Sequence, residues 1–111
     1  MNMQRHFGIV TATALREDAT IRTLMDDLDR TIQVLECDIA TEEERARIFD
    51  RSDATYPILA RTLGTRRDNL KVTIAALAQR LATINDKARQ AIATAAWARR
   101  SISMKPASWN L

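Results

Sequence analysis

A chain of 111 residues with two Gly and two Pro is the size of one domain and has little material for turns. Its single cysteine excludes an internal disulfide. At 46% hydrophobic but only 5% aromatic content, the core is a narrow one of Leu, Ile and Ala, as in bundles and coiled coils. The formal net charge of +3 is small, and its distribution along the chain says more than its sum.

Residues 1–8 carry Gly8 and no hydrophobic period, and read as a flexible lead-in. Arg5, Phe7 to Val10 and Ala12 to Ala14 superficially resemble an export signal. The apolar run is short, is broken by Thr11 and Thr13, and passes directly into helical periodicity, so export is not indicated. No run approaches the roughly 20 apolar residues of a membrane span. The expectation is a cytoplasmic protein.

From Ile9 onward Thr11, Ala14, Asp18, Ile21, Met25, Leu28, Ile32, Leu35, Ile39, Glu42, Ala46 and Phe49 recur at alternating spacings of four and three. A period of about 3.5 suits a helix laid along another helix, which predicts a first helix over about 9–50. Thr41 followed by Glu44 resembles a capping box. Ala46 and Phe49 keep phase across it, so the helix reads as continuous.

The turn falls at 51–56, with Ser52, Asp53 and Thr55 as candidate caps and Pro57 as a first-turn proline. The second helix spans about 57–100, on the seam Tyr56, Ala60, Leu63, Arg67, Leu70, Ile74, Leu77, Leu81, Ile84, Ala88, Ala91 and Ala95. Gly64-Thr65, with Asp68 three residues beyond Thr65, is a candidate break. Residues 101–111, with Pro106 and the isolated Ile102 and Trp109, read as a flexible basic tail.

A short connection makes long helices antiparallel neighbours. The predicted fold is therefore all-α: a long antiparallel two-helix coiled-coil hairpin over 9–100, associating into a four-helix bundle. With Phe49 opposite Tyr56 as the last layer, Leu35 faces Leu70, Ile32 faces Ile74, Leu28 faces Leu77, Met25 faces Leu81, Ile21 faces Ile84 and Ala14 faces Ala91. The same register places Glu36 beside Lys71, Asp38 beside Arg66, Glu17 beside Lys87 and Leu15 beside Ile92. Glu42 and Arg67 fall in adjacent seam layers, where a polar pair would pin the register.

Up to Thr55 there are seven basic and twelve acidic residues, and after it ten and two, so the halves carry −5 and +8. In a hairpin these charges lie side by side and largely answer one another. The uncompensated part is C-terminal: Arg99, Arg100 and Lys105 near Trp97 and Trp109. Basic residues interleaved with tryptophan suit a membrane interface, a nucleic acid or a partner groove, and Trp97 equally suits an end cap on the hairpin.

Catalytic chemistry is not indicated. His6 has no second ligand or base near it, and Cys37 lies between Glu36 and Asp38, whose charge disfavours a thiolate. Acidic neighbours such as Asp26-Asp27 and Glu42-Glu43-Glu44 diverge by about 100° on a helix and read as solvated face. No catalytic residue, metal ligand or cofactor site is expected. Val34, Ile48, Ile58 and Val72 lie off the seam, with Leu24 and Leu59 flanking it. These residues imply a second surface packed on another copy or another protein.

The expected function is a non-enzymatic interaction module, of adaptor, scaffold or chaperone-like kind, partnered by itself as a homodimer or by a helical protein. The alternative is a nucleic-acid-associated protein using the basic second helix and tail. In size and layout the chain resembles the small helical-hairpin proteins of the WXG type, but the turn Arg51-Ser52-Asp53-Ala54-Thr55-Tyr56 has no Trp-x-Gly, and no activity is carried over from it.

Overall fold

The computed structural model describes the backbone of residues 3–109 and the side-chain surroundings of residues 12–100. It consists of two helices, α1 (Met3–Ala46) and α2 (Ile58–Trp109), that pack against each other as an all-α helical hairpin, with no strand among the described residues. Compared with the expected boundaries, α1 starts within the lead-in and ends four residues before position 50. α2 runs on through the stretch read as a tail.

The early end of α1 has a local cause. Arg47 has φ of 59°, and the Ile48 N–H donates to the Glu43 carbonyl at 3.3 Å, a bond reaching back five residues. Together these form a Schellman ending, with Arg47 where glycine is usual. Ile48, directly after the left-handed residue, packs against the buried cluster of Ile39, Tyr56 and Ala60. Ile48, expected to face outward, is thus drawn into the core. Phe49, expected to close the last seam layer against Tyr56, follows the reversal of the chain and is 57% exposed.

Between the helices the chain is held by two successive Asp-x-Ser/Thr motifs. Asp50 Oδ1 accepts from Ser52 N–H at 2.9 Å and from its hydroxyl at 2.7 Å. Asp53 Oδ1 accepts from Thr55 N–H at 2.8 Å and from its hydroxyl at 2.7 Å. Backbone bonds from Asp53 N–H to the Asp50 carbonyl and from Tyr56 N–H to the Asp53 carbonyl, both 3.0 Å, make two linked turns. α2 then starts after Pro57, whose carbonyl accepts from Arg61 N–H at 3.0 Å.

The chain forms two compact units: a turn unit, Arg22–Gln79, and a terminal unit combining Met1–Ile21 with Arg80–Leu111. In the turn unit Ile32, Leu35, Ile39, Tyr56 and Ala60 are buried, and Met25, Leu28, Leu70, Ile74 and Leu77 are half-buried. In the terminal unit Ile84 is buried, Ile21 and Leu81 are half-buried, and so are Ala88, Ala91, Ala95, Ala96 and Ala98.

The packing next to the turn differs from the expected register. Ile39, expected level with Arg67, packs on Tyr56 and Ala60 with Leu63 partly buried against them, about one helical turn nearer the loop. Glu42 and Arg67 are correspondingly not paired with each other. Glu42 bonds Arg45 on its own helix and Arg67 bonds Asp68, both at 3.1 Å. Glu36 does meet Lys71, at 3.6 Å, whereas Glu17 takes Arg80 at 3.3 Å rather than Lys87.

Neither suspected break interrupts a helix. The Thr41 hydroxyl donates to the Cys37 carbonyl at 3.0 Å and that of Thr65 to the Arg61 carbonyl at 3.2 Å, so both serve mid-helix rather than as caps. Gly64 keeps a negative φ and is buried beneath Arg51. A Cβ there would lie 3.1 Å from the guanidinium, which passes over the glycine to Asp68 Oδ2 at 3.4 Å.

Two outcomes follow from this turn. A left-handed non-glycine residue costs roughly 1–2 kcal/mol, and glycine's extra unfolded-state entropy roughly 0.5–1 kcal/mol. Arg47→Gly therefore raises stability by up to about 1 kcal/mol in urea denaturation; a lowered midpoint contradicts the Schellman assignment.

The second outcome concerns acid. The Asp50 carboxyl is held below its usual range chiefly by the Ser52 backbone bond and then the Ser52 hydroxyl, and Asp53 chiefly by the Thr55 hydroxyl and then its backbone bond. A depressed folded-state pKa gives stability that is present above the ordinary carboxylate range and is lost as pH falls below about 4. The double variant Asp50→Asn, Asp53→Asn has a flatter acid limb of stability against pH; an unchanged limb excludes these two groups as its source.

Candidate interaction surface

A hairpin of two helices buries one stripe of each, and the chemistry of the remaining faces decides what the molecule can bind. Among the described residues, Leu15, Leu24, Val34, Phe49, Ile58, Leu59, Val72, Ile92 and Trp97 are large hydrophobic side chains left exposed, from 43% at Leu24 to 82% at Ile58. Scattered exposed apolar residues are ordinary. Of those in the turn unit, Leu24, Val34 and Leu59 share one side.

At about 100° per residue, measured from the stripe of Ile32, Leu35 and Ile39, Leu24, Thr31, Val34 and Thr41 of α1 all fall on one flank. Measured from Ala60, Leu63, Leu70 and Ile74, Leu59, Thr62 and Thr73 of α2 fall on the matching flank. In antiparallel helices these two flanks share a side. Ile58, Thr65 and Val72 continue the surface around the back of α2.

The threonines change the character of this face. Thr31, Thr41, Thr62, Thr65 and Thr73 each donate their hydroxyl to the carbonyl four residues back, at 3.0–3.2 Å. A hydroxyl folded onto its own helix leaves the methyl as the outward group, and its donor is already satisfied when water is removed. Interleaved with Leu24, Val34, Leu59 and Val72, they form a surface whose desolvation costs less than its polar composition suggests. None of these hydrogen bonds is visible in the sequence pattern, because Thr in a helix divides between two rotamers and only one makes the bond.

The surface adjoins a cross-braced end of the hairpin. The Tyr56 ring is buried, its hydroxyl donates to Glu43 Oε2 at 2.8 Å, and the Arg61 guanidinium lies 5.3 Å from the ring centroid. Burial first, then the bond to Glu43 and its charge, push the phenol above its ordinary value. Glu43, read from the sequence as solvated face, is thus the residue that ties the end of α1 to the start of α2. The Asp68 carboxyl is held below its usual range chiefly by the hydrogen bond from Arg67.

The other sequence candidates lie elsewhere. Trp97 is 65% exposed in the terminal unit, where Arg99 and Arg100 are also exposed, while the side chains of Lys105 and Trp109 lie outside the described residues. Leu15 and Ile92, expected to flank the seam together, are both exposed there. α1 also carries an open depression of about 370 Å³ in that unit, lined by Thr13, Arg16, Glu17, Thr20 and Ile21.

Cys37 is exposed, and His6 lies outside the described side chains. Among the described residues no group of three or more His, Cys, Asp or Glu side chains is placed to hold a metal ion, and no helix is long and apolar enough to cross a membrane. No family model, curated protein or solved structure matches the chain.

Proposed function

We propose that this chain is a non-enzymatic protein-interaction module of the cytoplasm that works by helix packing. The observation carrying the reading is the flank of the turn unit. There the back-bonded Thr31, Thr41, Thr62 and Thr73 and the exposed Leu24, Val34 and Leu59 form a surface suited to burial against another helical surface, and Thr65 and Val72 continue it around the back of α2. By the same helical spacing Asp27, Asp38 and Arg66 also lie on this flank, so a partner has to answer their charge as well as cover the apolar groups.

The test is native co-purification of a tagged copy beside the variant Val34→Asp, Leu59→Asp. The expected result is a stoichiometric protein, a second copy included, that is retained by the original chain and lost from the variant, with helicity by circular dichroism unchanged. Retention of the same protein by the variant contradicts the proposed surface.

A second reading draws on the exposed Trp97 beside Arg99 and Arg100: association with nucleic acid through the basic α2 and the C-terminal stretch. It makes a separate forecast, binding that weakens steeply with salt and is removed by Arg99→Ala, Arg100→Ala. Binding indifferent to salt rules it out.

A further inference from the structure

The charges of the two units indicate what covers the turn-unit surface, on the premise that this surface is the interface proposed above. The turn unit holds nine basic and eleven acidic residues and the terminal unit eight and three, giving −2 and +5. The acidic residues of the turn unit concentrate on α1, from Asp26 to Glu44. The basic residues of the terminal unit concentrate on α2, from Arg80 onward. The turn-unit flank is thus edged by acidic residues on α1 and by Arg61, Arg66 and Lys71 on α2, and the unit's net charge of −2 favours a partner of net positive charge.

We propose that the occupant is a second copy of this chain in the opposite direction, with the turn unit of each protomer seated on the terminal unit of the other. The two contacts are identical, as an isologous two-fold dimer requires, and each sets a unit of net charge −2 against one of net charge +5. Two copies running in the same direction would instead stack the +5 units on each other. The terminal unit also presents carbon-rich surface to the flank: the open depression at Thr13, Thr20 and Ile21, and the exposed Trp97. The product is an antiparallel four-helix bundle whose orientation is set by charge and whose affinity comes from the buried flank.

The experiment exploits the reciprocity. Full-length Lys87→Glu, Arg99→Glu, Arg100→Glu takes the terminal unit from +5 to −1, and full-length Asp27→Lys, Asp38→Lys takes the turn unit from −2 to +2. Sedimentation equilibrium is run on each variant, on an equimolar mixture and on the original chain.

The original chain is expected to be a dimer, and each variant alone to dissociate with a constant raised at least about tenfold, since like charges then oppose at both contacts. The mixture is expected to dimerise as the original does, because both of its contacts again join opposite charges. That recovery also shows that the variants are folded. A mixture that stays monomeric, or variants that dimerise alone as the original does, overturns the antiparallel arrangement.

An original chain that stays monomeric at every concentration overturns the second copy as occupant. In that case a different stoichiometric protein lost from Val34→Asp, Leu59→Asp would leave the interaction reading standing and name the other occupant.

Discussion

Two helices lying side by side can each bury only one stripe of side chains, and every other property of this protein follows from that constraint. The buried set is short: Ile32, Leu35, Ile39, Tyr56, Ala60 and Ile84 among the described hydrophobic residues. It gathers most densely beside the turn, where Ile39, Tyr56 and Ala60 meet Ile48 and Leu63. Polar bonds hold that cluster closed from both sides, through Tyr56 to Glu43, Arg51 to Asp68 across Gly64, and the two aspartate-centred turns. The exposed ion pairs elsewhere each add about 0–1 kcal/mol and act mainly on alignment.

The seam was legible because period is a global property of the sequence. A slip of one residue would put Leu28 or Leu77 in water, so the pattern survives local irregularity. The end of α1 was not legible. Schellman endings are recognised by their glycine, and Arg47 gives no such signal, so Phe49, which keeps the heptad phase, reads as helical when it is not. The Glu42–Arg67 pair failed for a related reason. Each side chain has a partner on its own helix within three residues, and packing of Ile39 nearer the loop removes the cross-seam alternative. Outward apolar residues were legible one at a time as departures from the heptad. The threonine methyls that join them into a surface depend on rotamers, which no spacing reveals.

Composition and exposed surface both bear on the proposed self-association. A seam this narrow leaves Leu24, Val34, Leu59 and Val72 in water, and a domain of this size has little stability to spare for that exposure. In the proposed dimer the opposite net charges of the two units would set the orientation. In the proposed four-helix bundle the exposed flank would become core and add to the marginal burial of the single hairpin.

The central claim, that folding is completed by self-association, is tested most directly by thermal unfolding followed by circular dichroism over two decades of protein concentration. Mass action requires the midpoint of an associating protein to rise with concentration, because only the folded state binds its partner copy. The account predicts that rise, with a steeper dependence at low salt. A midpoint that does not move with concentration contradicts it, and makes the two-helix hairpin a self-sufficient fold.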